Sequence, residues 1–185
     1  MNQPRHCAEP DLLFPLSRFY ESEHLALPSA RTLSGAEMPE PYRRLLVHQR
    51  DMTSTLEEFY GERMLLRVLH SGRQDDAYCR EILLVGADSG KVVEYGSIRI
   101  FIERFEPVPR AEILSETLPL GAILTKNAVP YTSAPRAFFR IDADAVTTKH
   151  FKLTEAAPLY GRRNKHAAPG GETLADIVEI LAPVS

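Results

Sequence analysis

Hydrophobic and polar positions divide the chain into an irregular opening, a helical segment and a run of strands. Six of the 14 prolines lie in residues 1–41 and none between 42 and 106. The first forty residues therefore read as an extended arm with little regular structure. Leu12, Leu13, Phe14, Leu16, Phe19 and Tyr20 are too apolar for a free tail, so the arm is expected to pack on the body. Residues 41–61 read as helical. Pro41 suits a first turn. Tyr42, Leu45, Leu46 and Gln49 follow i, i+3, i+4, i+7 spacing, with only the last position polar. Asp51-Met52-Thr53-Ser54 offers several N-caps, Ser54 with Glu57 has capping-box spacing, and Gly61 is a natural stop.

From residue 63 the period changes to two. MLLRVLH (64–70), AYCREILLVG (77–86) and KVVEYGSIRIFIERF (91–105) are separated by short polar turns and predict an antiparallel meander. Residues 107–135 are richer in proline and turns, with one helical candidate at 119–127. AFFRID (137–142) reads as a fourth strand and HFKLTEA (150–156) is a candidate fifth. A loop, GRRNKHAAPGG, then leads to a last strand, ETLADIVEILAP. The expected class is α+β, a single antiparallel sheet of about six strands with few helices at one face or at the ends. The expected organisation is an arm over 1–40 packed on a body over 41–185.

Two positions break the alternation. Arg80 shares its strand face with Tyr78, Ile82 and Leu84, and Glu179 shares its face with Ala175, Ile177 and Leu181. Burying an unpaired charge costs several kcal/mol, so each predicts either a partner or a ligand. An Arg with a vacant fork inside a cavity is a carboxylate receptor, and a Glu there has a raised pKa suited to a general acid. The opposite faces are charged too, at Glu81 and Asp176, so an exposed or edge pair is the competing reading.

Composition narrows the function classes. With 22 Lys+Arg and 25 Asp+Glu the formal charge is −3, and hydrophobic residues make up 44%. The balance is that of an ordinary globular domain. No apolar run approaches the roughly 18–20 residues of a membrane span, and the N-terminus lacks the apolar region of a secretory signal. A cytoplasmic protein is expected. Two cysteines and six scattered histidines predict neither a disulfide scaffold nor a metal site. Residues 126–166 nevertheless carry eight basic and three acidic side chains, a local +5. In an acidic chain this points to a small anionic ligand rather than nucleic acid; a solvated basic face is the alternative.

Five short pieces, in order, carry a resemblance: LLVHQRDMTSTLEEF (45–59), REILLV (80–85), LPLG (118–121), LYGRRN (159–164) and VEILAP (178–183). Together they resemble the chorismate pyruvate-lyase family, enzymes that eliminate pyruvate from chorismate to give 4-hydroxybenzoate, an aromatic precursor of the ubiquinone type. The resemblance implies an antiparallel sheet with helical flaps over an internal ligand cavity. It implies Arg80 as the anchor for the ring carboxylate and Glu179 as the catalytic carboxylate. Met52, Leu120 and Gly121 are implied as pocket residues. Arg162 or Arg163 is expected to bind the second carboxylate or attract the substrate, with a surface loop as the competing reading for that pair. The implied activity is a cofactor-independent carbon–oxygen lyase with no metal, because aromatisation drives the elimination and the enzyme need only orient the ether and supply a proton donor.

The competing function is a non-catalytic binding protein for a small aromatic carboxylate, or a paralogue acting on a related aromatic acid. Effector-binding domains of some transcription regulators share this general fold. Nothing in the first forty residues reads as a helix-turn-helix.

Overall fold

A computed structural model of the chain describes residues 11–184. The start of the arm, with His6 and Cys7, lies outside the described residues. Among those described, seven strands form one sheet in the order β1-β5-β6-β7-β4-β3-β2, with every neighbouring pair antiparallel. The α+β expectation holds, and β1 (Ala30–Leu33) is one of two strands that the alternation did not predict. The meander is present as β2 (Met64–Gln74), β3 (Ala77–Gly86) and β4 (Val92–Ile100). Its first turn shrinks to Asp75-Asp76, because Ser71–Gln74 pair with Ala77–Arg80 instead of forming a loop. β7 (Thr173–Leu181) lies at the centre of the sheet, between β4 and β6 (Pro158–Ala167).

The helical stretch 41–61 is two helices, α2 (Tyr42–Leu46) and α3 (Met52–Tyr60). Asp51, rather than Ser54, caps α3. Its Oδ1 accepts from the Ser54 backbone N–H at 2.9 Å, which satisfies one of the amides a helix leaves free at its start. Gly61 ends the helix at φ 69°, a left-handed position that glycine enters without steric cost. Glu57 does not close a capping box; its Oε1 accepts from the Met64 N–H at 3.0 Å and ties the helix to β2.

Three further stretches differ from expectation. LYGRRNKHA is strand β6, not a loop, and pairs with β5 (Thr132–Asp142) on one side and β7 on the other. HFKLTEA is not a strand: its first residues close helix α6 (Ala145–Phe151), which Asp144 caps through the Thr147 N–H. Pro107–Leu114, in the proline-rich stretch, is helix α4, with proline in the first turn where its missing N–H costs nothing. Helix α5 (Leu120–Lys126) lies where the sequence placed it.

The sheet buries both faces. One face carries Leu83, Tyr95, Phe139, Val178 and Ile180, covered by helix α1 (Leu16–Ser22) and partly by Val146 and Phe151 of α6. The apolar residues Leu13, Leu16 and Tyr20 of residues 11–40 are buried there. The other face packs against α2 and α3 at one end, through Leu45, Leu46 and Leu56. At the other end it packs against α4 and α5, through Ile113, Ile123 and Leu124. Gly161 lets β6 and β7 approach closely over the Phe139 ring; a Cβ there would lie 2.5 Å from the Glu179 carbonyl oxygen and 2.6 Å from that ring. No helix among the described residues is long and apolar enough to cross a membrane.

Candidate functional site

Between the two helical ends of this second face lies a cavity of about 60 Å³. Its floor is the sheet. β3 supplies Arg80, Ile82 and Leu84, β4 supplies Glu94 and Ile98, β7 supplies Ile177 and Glu179, and β6 supplies His166. Its roof is the start of α3, with Asp51, Met52 and Thr53, and the start of α5, with Pro119, Leu120 and Gly121. Arg80, Glu179, Met52, Leu120 and Gly121, named from sequence, therefore border one space. Gly121 brings the two roof helices together, since a Cβ there would sit 2.9 Å from the Asp51 Oδ1 that caps α3.

Arg80 and Glu179 are 1% and 4% exposed, so neither is an edge or surface charge. Their situations differ. Arg80 donates from Nη1 to the Ile113 carbonyl at 3.4 Å, a long bond, and its Nε is buried without a partner. Burial pulls this guanidinium below its usual pKa, opposed by the neighbouring Tyr78 and Glu116. Glu116 is engaged by the Tyr78 hydroxyl.

Glu179 is held by Arg162, whose Nε donates to its Oε2. Arg162 is fully buried, and its other nitrogens are committed. Nη1 donates to the Leu46 and His48 carbonyls, each at 3.2 Å, and Nη2 to the Arg50 carbonyl at 3.3 Å. Its guanidinium thus pins the segment between α2 and α3 to the centre of the sheet. Arg163, next along β6, points to the other face. There it lies 5.7 Å from the Phe14 ring centroid and donates to the Asp11 carbonyl at 3.4 Å. The structure separates the GRR pair by strand alternation, with one side chain on each face.

Two cavity residues escaped the sequence reading. Glu94 is 3% exposed and its Oε2 has no partner. Burial first, then the charge of Glu179, push its carboxyl well above the usual carboxylate value, against the pull of Arg162. The same alternation rule finds it, because Glu94 shares a face with Gly96, Ile98 and Ile100. His166 is 3% exposed and neither ring nitrogen has a partner. Burial, reinforced by the Arg162 charge, lowers it to about 4. It lay in a stretch read as loop, where no alternation applied.

No protein-family model matches this chain, and no curated protein does. Solved structures share the fold. The effector domain of PhnF from Mycobacterium smegmatis is similar with a TM-score of 0.55 at 9% identity, covering 72% of this chain and 88% of that one. A second PhnF structure from the same organism is similar with a TM-score of 0.55 at 10% identity, covering 90% and 92%. The possible transcriptional regulator YydK from Bacillus subtilis subsp. subtilis strain 168 is similar with a TM-score of 0.51 at 9% identity, covering 66% of this chain and 62% of that one. At these identities the likeness is one of fold.

These comparisons correct the expectation drawn from the five motifs. The chain is not placed in the chorismate pyruvate-lyase family, because no family model or curated lyase matches it and the similar structures are PhnF, its effector domain and a possible transcriptional regulator. The lyase activity, the chorismate substrate, the 4-hydroxybenzoate product and the catalytic labels on Arg80 and Glu179 fall with that assignment. The physical reason the motifs misled is that they mark positions of the fold. Strand residues facing the cavity, the α3 cap and the α5 turn serve any ligand the fold encloses.

Proposed function

We propose that this chain is a non-catalytic binding domain for a small organic carboxylate, with Arg80 as its anchor. The observation that carries this is the Arg80 guanidinium: 1% exposed, bordering an otherwise largely apolar cavity, with one long hydrogen bond and an unpartnered Nε. A buried donor fork left this poorly satisfied costs stability unless a ligand completes it, and a carboxylate is the group its geometry fits. Leu66, Ile82, Leu84, Ile98 and Ile177 suit an apolar body. The cavity is well below the ~150 Å³ that holds a benzene. Butyrate has as many heavy atoms as benzene, so an acid of that size, aliphatic or aromatic, requires the α3–α5 roof to draw back. The fold likeness to an effector domain supports binding over turnover. The arm-and-body organisation, residues 1–40 packed on 41–185, and a cytoplasmic location belong to the same proposal.

The test is calorimetric titration of wild type and Arg80→Met with butyrate and benzoate, over micromolar to millimolar concentrations. Saturable binding to wild type, weakened about 100-fold or more in Arg80→Met, is expected. Equal binding by the two proteins, or none by wild type, overturns the proposal.

A further inference from the structure

Arg80 and His166 stand on the same sheet face but on different strands. Arg80 pairs with Ile98, Ile98 with Ile177, and His166 follows two residues after Asn164, the partner of Ile177. Three strand spacings, roughly 14 Å between backbones, separate β3 from β6. The two side chains therefore approach the cavity from opposite sides, over a floor of Ile98 and Ile177. Both nitrogens of His166 are buried without a partner. Its ring is instead held by packing, 4.7 Å between centroids from Tyr131.

A buried polar group in a native fold is almost always hydrogen-bonded, so an imidazole with two vacant nitrogens bordering a cavity is a marker for something that binds there. We infer that His166 is a second recognition point, and that the ligand is a monocarboxylate bearing a neutral hydroxyl on the side away from its carboxylate. This rests on the Arg80 reading above and deepens it. A hydroxyl both donates and accepts, so it serves a neutral imidazole in either tautomer. The charges agree. Arg162 and Glu179 answer each other, Glu94 is held toward its neutral form, and His166, lowered to about 4, is uncharged near neutral pH. Arg80 has no direct ion pair, because the Glu116 carboxylate that acts on it is engaged by the Tyr78 hydroxyl, so a ligand carboxylate suits its free Nε.

The test uses matched acids with and without a hydroxyl at the end away from the carboxylate: butyrate against 4-hydroxybutyrate, and benzoate against 4-hydroxybenzoate. Affinities are measured by calorimetry for wild type, His166→Phe and His166→Asn. Phenylalanine keeps the packing against Tyr131 and removes both nitrogens; asparagine keeps a donor and an acceptor. In wild type at least one hydroxy acid should bind tenfold or more tighter than its parent. His166→Phe should reduce that ratio to within twofold, and His166→Asn should restore part of it. Equal affinities in wild type, or a preference that survives in His166→Phe, overturn the inference and leave Arg80 as the anchor. Failure of every acid to bind wild type overturns both readings. The melting temperature of His166→Phe should equal or exceed that of wild type, which excludes misfolding as the cause of a lost preference.

Discussion

Arg162 and Glu179 are cross-strand partners on β6 and β7, and the Arg162 Nε–H donates directly to a Glu179 carboxylate oxygen with both side chains out of water. The same guanidinium holds three carbonyls of residues 46–50. One buried cation therefore joins a cavity wall to the segment entering its roof helix.

Removing Arg162 strands the Glu179 charge and frees those carbonyls. Arg162→Met is expected to cost about 3–5 kcal/mol, read by urea unfolding. Glu179→Gln should cost less, because its amide oxygen still accepts from Nε. The amides of residues 46–50 should exchange faster in Arg162→Met than in Glu179→Gln.

Arg80 should behave in the opposite way. Its single long bond offsets little of the cost of burying a charge. Replacing a buried, poorly paired charge by an apolar side chain is often neutral or stabilising by about 1–4 kcal/mol. Arg80→Met is therefore expected to match or exceed wild type in unfolding free energy without ligand. A loss of several kcal/mol would assign Arg80 to the support of the fold.

His166 gives an acid-side dependence. Its folded-state value, about 4, lies below the ordinary 6.5. The unfolded chain takes up its proton first as pH falls, so the stability due to neutral His166 is full above about 6.5 and is lost as pH drops through about 4. The span corresponds to roughly 3 kcal/mol. Denaturant unfolding between pH 4 and 7 should show this slope in wild type and lack it in His166→Phe.

Glu94 acts in the other direction. Its carboxyl is pushed well above the ordinary 4.5, mainly by burial. The stability due to its neutral form is complete below about 4.5 and is lost as pH rises through the raised value. Glu94→Gln removes that loss. It should gain on wild type steadily as unfolding is measured at higher pH, from 5 to 9.

Asp51 links cap and roof. Asp51→Ala removes the acceptor of the Ser54 N–H, and its expected cost is about 1 kcal/mol. The proteolytic lifetime of the α3 segment should shorten in parallel.

Much of the frame was legible because strands announce themselves by period two and turns by their residues. β2, β3, β4 and β7 were located this way, and so were Arg80 and Glu179 as charges on apolar faces. Glu94 was legible by the same rule. β1 was not, since four residues are too few to display a period. β6 was missed because GRRNK is polar throughout, and a strand buried partly through hydrogen-bonded polar side chains carries no hydrophobic alternation. That error hid the division of Arg162 from Arg163 and the place of His166. The five motifs likewise located fold positions correctly while implying an activity that the comparisons contradict.

The sequence by itself determined the α+β class, the meander, the stop at Gly61, helix α5, and the presence of charges that need partners, because these depend on local sterics and on periodicity. Only the tertiary structure decided which partner each charge has. Strand order put β7 between β4 and β6, so Glu179 met Arg162 and left Arg80 vacant three strands from His166. A lone chain segment has one neighbour on each side, whereas a sheet brings together residues a hundred positions apart. The electrostatics of a buried group are set by those distant neighbours.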